Sequence, residues 1–246
     1  MNKKVVIVTG GLGGIGLHIT GTLAANGYKV YATYKNKSEN EVDLLRKTFD
    51  NSENVICTHL DVTSLRDCQN FYTKVLQADK AIFGLINNAG ITADSSFRKM
   101  TFDQWQSVIN TNLHSLFNTT QIVFSNMLEQ KNGCIINISS VNALKGQFGQ
   151  ANYCATKAGI LGFTKALALE GAKSGVRVNA IAPGYTDTAM VRAVPEHILE
   201  EIKNSIPTRK LVEPSDIAYA VSFLLSDAAK AITGETLSIN GGMVMY

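Results

Sequence analysis

The 246-residue chain has no apolar run near the roughly 18 residues that a membrane-crossing helix needs, so no membrane partner is expected. It has no Pro/Ser-rich linker, no low-complexity segment and no internal repeat. Its four prolines fall at loop or helix-start positions. Nothing therefore marks a domain boundary, and one domain over residues 1–246 is expected. Cysteine is sparse: Cys57, Cys68, Cys134 and Cys154 form no C-x-x-C pair and have no partnering histidine cluster. That pattern predicts no metal site and reads as free thiols in a reducing compartment, serving as small buried hydrophobes. Basic residues are scattered at a net charge of +3, with no stripe that would point to a nucleic-acid partner. The first eight residues place basic residues before an apolar run, but that run stops at Thr9-Gly10, too early for a signal peptide. A cytoplasmic location is expected. What remains is 45% hydrophobic and 17% charged, the balance of a chain that folds around a core.

Short β-branched runs alternate with longer amphipathic ones. Strands are expected at 5–8, 29–33, 55–59, 84–87, 134–138, 177–181 and 236–239. Each is short and apolar, as for strands buried on both faces. Ile15, Ile19 and Leu23 recur every fourth residue and are followed by Gly27 as a helix stop. Further helices are expected at 40–49, 64–78, 101–128, 153–171 and 214–225. This alternation implies an α/β fold: a parallel sheet with helices on both faces and right-handed crossovers. The polar segment 185–211 interrupts the pattern and reads as a substrate lid, or as a surface excursion with a short helix near 195–203.

The first strand runs into Thr9, Gly10, Gly11, Leu12, Gly13, Gly14, Ile15 and Gly16. Five glycines between a strand and a helix suit close approach of a pyrophosphate to the backbone and to the free N–H groups of the helix start. The spacing is T-G-x-x-x-G-x-G, and no Lys-Ser/Thr follows, which excludes a P-loop. NAD-users place an acid at the end of the second strand for the ribose 2′-hydroxyl. Here that end carries Tyr34, Lys35 and Lys37 and no acid. Two lysines would attract a 2′-phosphate, so NADPH is expected over NADH.

Tyr153 and Lys157 stand four residues apart at the start of a helical stretch, on one face. A free phenol titrates near ~10, and a neighbouring ammonium favours phenolate and lowers that value. The pair is an acid/base candidate.

These residues, with Asn87-Asn88-Ala89-Gly90, Asn112, Ser140 and Pro183-Gly184, stand in an order and spacing that resemble the short-chain dehydrogenase/reductases over essentially the whole chain. The resemblance implies a Rossmann-type doubly wound sheet of seven strands, assembled as a homotetramer. It implies that Asn88, Ala89 and Gly90 border the cofactor, that Asp61 and Val62 flank the adenine, and that Pro183, Gly184, Thr186 and Thr188 form the loop on the nicotinamide amide. It assigns Tyr153 as proton donor to a ketone oxygen and Ser140 as a hydrogen-bond donor to the same oxygen. Lys157 would tune the phenol and hold the nicotinamide ribose. Asn112 would kink its helix and hold a water linking Lys157 to solvent.

Within the family, residues 9–14, 138–142, 145–150 and 238–243 resemble the acetoacetyl-CoA reductases of polyhydroxyalkanoate-making bacteria. The expected partner is then an acyl-CoA thioester, reduced to the (R)-3-hydroxyacyl product. Gln147, Phe148, Gln150 and Tyr185 would join Ser140 and Tyr153 around it, with Phe148 as an apolar wall. The 3-oxoacyl-carrier-protein reductases are the alternative, and a cofactor-binding regulator without catalysis is a further one. The carrier-protein enzymes commonly have an Arg where this chain has Gly13, and relatives often place an acid where it has Ala189.

Overall fold

The computed structural model describes residues 3–245, the Met190 side chain excepted. Seven strands form one parallel sheet: β1 (Val5–Val8), β2 (Lys29–Tyr34), β3 (Val55–His59), β4 (Gly84–Asn87), β5 (Gly133–Ile138), β6 (Val176–Pro183) and β7 (Thr236–Ile239). Their spatial order is β3-β2-β1-β4-β5-β6-β7. The fold is thus the doubly wound Rossmann type in a single α/β domain, and the order reverses between β1 and β4. A crevice opens outside the carboxyl ends of the strands at such a reversal.

Side chains alternate across each strand. In β1, Val6 and Val8 pack with Ile19 and Leu23 on one face of the sheet and with Ile217 and Val221 further along it. Val5 and Ile7 point the other way, toward Phe71, Val75, Val123 and Met127. Both faces are covered, which is why the strand reads as an unbroken apolar run. The helices are α1 (Gly14–Ala25), α2 (Glu39–Arg46), α3 (Leu65–Asp79), α4 (Phe102–Ile109), α5 (Ser115–Gln130), α6 (Asn142–Lys145), α7 (Ala151–Ala172), α8 (Ala189–Arg192), α9 (Glu196–Ser205) and α10 (Pro214–Leu225).

α1 stops as its glycine foretold. Gly27 has φ +84°, its N–H donates to the Ala24 carbonyl, and Tyr28 N–H donates to the Leu23 carbonyl, both at 3.1 Å. Two helices depart from expectation. α2 ends at Arg46, and residues 47–49 continue as turns that carry Phe49 into the core. The single helix expected over 101–128 is broken by one π-helical turn, Asn110–His114, between α4 and α5. A π turn inserts an extra residue into the helical repeat, and here it brings the buried Asn112 inward.

The segment 185–211 is more helical than an irregular insertion, since it holds α8 and α9. Its base is stapled: Thr186 bridges Val212, and the Asp187 N–H donates to the Val212 carbonyl at 2.9 Å. Beyond the base, α9 buries none of its residues. Among the described residues no helix is long and apolar enough to cross a membrane.

Candidate active site at the carboxyl edge of the sheet

The glycine loop is locked to the loop after β4. Thr9 Oγ1 accepts from the N–H groups of Asn88 at 3.0 Å and Ala89 at 3.1 Å. Asn88 Nδ2 returns bonds to the carbonyls of Thr9 and Gly10. A Cβ on Gly16 would lie 2.2 Å from the Gly10 carbonyl oxygen, so only glycine lets α1 start this close to the loop. No side chain caps α1, which leaves its leading N–H groups available to a ligand anion. Gly13 differs from Gly16: its backbone is extended and a Cβ there would meet nothing within 4 Å. Gly10, Gly13, Gly14 and Ile15 line a cavity of about 530 Å³. Thr9 and Leu12 are buried behind it, and Gly11 packs against Ala32; with Gly16 they shape the loop rather than face the cavity.

The cavity runs from this loop past Asn88, Ala89 and Gly90 to Ser140, Tyr153 and Lys157. Pro183, Gly184, Tyr185, Thr186, Thr188 and Ala189 close its other side. Gly184 needs to be glycine, because a Cβ there would come within 2.8 Å of the Asn240 Cα.

Tyr153 and Lys157 share one face of α7, with Lys157 Nζ 5.6 Å from the phenol ring centroid. Lys157 is 4% exposed, and its ammonium donates to the Ile138 carbonyl at 2.8 Å. Burial depresses its pKa to about 8. The expected lowering of the Tyr153 pKa by Lys157 is not seen. Burial pushes the phenol above its ordinary value, and the Ser140 hydroxyl, which favours phenolate, only partly offsets this. The reason is geometric: the ammonium is turned to a main-chain carbonyl, while the phenol sits among low-dielectric walls. The phenol is therefore protonated at neutral pH, as a proton donor must be.

Asn112, in the π turn that kinks its helix as expected, is brought beside this pair. Its Oδ1 accepts from Ile91 N–H at 2.8 Å, and its Nδ2 donates to the Ile91 carbonyl at 2.9 Å and to Thr156 Oγ1 at 3.3 Å. The amide thus clamps the loop after β4 onto α7. A Cβ on Gly90 would stand 3.3 Å from Asn112 Oδ1 and 3.5 Å from Lys157 Nζ, so Gly90 sits between the two.

Tyr34, Lys35, Lys37, Asp61 and Val62 lie apart from the cavity, around the carboxyl ends of β2 and β3. Lys35 is not free, as expected, but pairs with Asp61 at 2.6 Å. Parallel pairing of Tyr34 with His59 puts the following residues side by side. Burial would push the Asp61 carboxyl up, but hydrogen bonds from Lys35 and Thr63 hold it below the ordinary range. Lys37 forms no ion pair among the described residues.

Of the residues expected around a substrate, Ser140, Gln150, Tyr153 and Tyr185 line the cavity. Phe148 does not: it is 88% exposed and forms no wall. Gln147 borders a neighbouring cavity of about 420 Å³ between Lys145, Tyr185 and α9. Its Oε1 accepts from Lys145 Nζ at 2.9 Å and from the Tyr185 hydroxyl at 3.4 Å. Gln150 has its amide occupied at both ends, by Asp94 and Asn142. Asn142, Thr92 and the Ile138 carbonyl join the site without having been anticipated. A main-chain carbonyl leaves no mark in a sequence, and no spacing ties residue 94 or 142 to residue 150.

The short chain dehydrogenase family model matches residues 4–199. An acetoacetyl-CoA reductase of an Acinetobacter species is 49% identical over 245 residues, 99% of each chain. The acetoacetyl-CoA reductase of Shinella zoogloeoides is 51% identical over 241 residues, 98% of each chain. A 3-oxoacyl-(acyl-carrier-protein) reductase of Staphylococcus epidermidis is 40% identical over 248 residues, covering 100% of both.

Proposed function

The chain belongs to the short-chain dehydrogenase family, and from that premise we propose that it reduces acetoacetyl-CoA, a short 3-oxoacyl thioester, to (R)-3-hydroxybutyryl-CoA with NADPH. The observation that carries the chemistry is the protonated Tyr153 phenol facing Ser140 in a cavity that begins at an uncapped helix start. The full-length relatives named acetoacetyl-CoA reductase favour the CoA thioester.

The reduction adds a hydride to the ketone carbon and a proton to its oxygen. A nicotinamide cofactor, when bound, supplies the hydride. The glycine loop and the leading N–H groups of α1 would hold its pyrophosphate, and Thr186 and Thr188 would hold the nicotinamide amide. Ser140 donates a hydrogen bond to the ketone oxygen as negative charge grows there. Tyr153 releases its proton to that oxygen. Lys157, held by the Ile138 carbonyl, keeps a positive charge beside the emerging phenolate and reaches the nicotinamide ribose.

Lys37 and Lys35 would hold the 2′-phosphate of NADPH, with no acid on β2 to repel it. Gly13 has space for the Arg that carrier-protein reductases commonly carry, and its absence leaves more of that anion to the two lysines. The segment 185–211 acts as the lid, with its base stapled to Val212 and α9 free to move. We place the protein in the cytoplasm as a homotetramer.

Following NADPH absorbance with acetoacetyl-CoA and with the same acyl group on the carrier protein tests this reading. A higher kcat/KM for the CoA thioester, and for NADPH over NADH, is expected. A large preference for the carrier protein would transfer the assignment to fatty-acid synthesis, and an equal or better NADH rate would remove the role of Lys35 and Lys37.

A further inference from the structure

A further cavity, of about 260 Å³, lies at the opposite edge of the sheet, beneath the amino ends of β5 and β6. β6 spans the distance between the two sites. Val176 lines this cavity and Pro183 lines the candidate active site, about seven residue steps or ~23 Å further along the strand. Ala172 and Leu225, the last residues of α7 and α10, border it. Its charged lining is Arg177, Lys230 and Asp227.

Arg177 stands between Val176 and Val178, which both turn into the core. Alternation along the strand sends Arg177 to the other face, beside its β5 partner Cys134. Its Nη1 is buried and has no hydrogen-bond partner among the described residues. Arg177, Lys230 and Asp227 form no ion pair among those residues either. A guanidinium stays charged and only donates, so a buried N–H left unmade there is costly. The carbonyls of the two helix ends are met by other donors. The Leu224 carbonyl accepts from Cys134 Sγ at 3.4 Å, and the Phe223 carbonyl from the Ser226 N–H at 3.0 Å. The Gly171 and Ala172 carbonyls accept from the N–H groups of Ser174 and Gly175.

Two cations and one carboxylate leave the lining with a single positive charge in excess, which suits a monoanion better than a dianion. A carboxylate presents two coplanar oxygens that match the guanidinium fork. The apolar part of the lining includes Phe83 and Leu225, and Phe83 is stacked on Tyr28 with ring centroids 6.2 Å apart. We propose that this cavity binds a short aliphatic carboxylate, with its head on Arg177 and Lys230 and its hydrocarbon tail against Phe83 and Leu225. The site is separate from the catalytic cavity and does not depend on which thioester is reduced there.

The test is calorimetric titration of the full-length protein with sodium butyrate, with inorganic phosphate, and with sodium chloride at matched ionic strength. Saturable binding of butyrate is expected, and neither other anion reproduces it. Arg177→Met keeps an unbranched apolar stem, loses the charge, and weakens butyrate by about tenfold or more. Lys230→Ala changes an exposed side chain and weakens it by about threefold. Asp227→Asn removes the opposing carboxylate and tightens it by about the same factor. Phosphate binding in place of butyrate would overturn the carboxylate assignment. No saturable binding, or butyrate binding unchanged in Arg177→Met and Lys230→Ala, would overturn the site. If Arg177→Met does not fold, Lys230→Ala and Asp227→Asn decide the matter, because their opposite shifts require the ligand's charge to sit in this cavity. The readout is binding and not turnover, so failure here leaves the acyl-CoA reading standing, and the converse holds.

Discussion

On the sheet side of the cavity, Thr9, Asn112 and Lys157 are buried, and each bonds main-chain atoms of a neighbouring loop or strand. On the lid side, α9 buries none of its residues and Phe148 stands in solvent. The first wall is held by low-dielectric hydrogen bonds that cost several kcal/mol to leave unmade. The second has little apolar contact to hold it, so it can open locally at small cost. The difference separates two tasks: proton and hydride chemistry needs atoms fixed to within an ångström, whereas admitting a thioester needs a wall that moves.

Ser140→Ala should strike the fixed wall hardest after the phenol itself. Loss of a donor to the developing oxyanion lowers kcat by about 10²–10³-fold, read in the NADPH assay at saturating substrate. A smaller effect comes from pH. The Lys157 ammonium, brought down to about 8 by burial, is present below that pH and lost above it. With the charge gone, kcat/KM for reduction should hold below pH 8 and fall by about tenfold per pH unit above it. A profile flat into the alkaline range would mean that Lys157 stays charged or is not needed. The smallest effect belongs to the wall on the side of the proposed lid. Phe148→Ala should leave the melting temperature within about a degree, since an exposed side chain away from packed features contributes little to stability. A raised KM for the thioester at unchanged stability would show that the loop before α7 turns Phe148 onto bound substrate, which blurs the contrast between the walls.

The same contrast governs what could be read from the sequence. Strands such as β1 and β4 were legible because both their faces are buried, so periodicity and composition agree. The glycine loop and the end of α1 were legible because Gly16 has no room for a Cβ and Gly27 takes a positive φ, demands that glycine meets best. The break at Asn110–His114 did not show in the periodicity, because the apolar period from Phe102 onward continues straight across the π turn; only the family resemblance placed a kink at Asn112. Lys35 and Asp61 were placed at the right edge, yet their mutual pairing depends on the register of β2 against β3. Phe148 showed the limit most plainly: a sequence names an aromatic side chain between Ser140 and Tyr153 but not the direction in which the loop turns it. Asp94 carried no local signal at all, since its partner lies 56 residues away.

The central claim is that the Tyr153 phenol gives its proton to the substrate oxygen. Tyr153→Phe removes one oxygen atom and leaves the ring that lines the cavity. The measurement is kcat for acetoacetyl-CoA reduction beside the NADPH dissociation constant of the same variant. The account predicts a fall in kcat of about 10³-fold or more with cofactor binding preserved. A variant that turns over at a substantial fraction of the wild-type rate would contradict it.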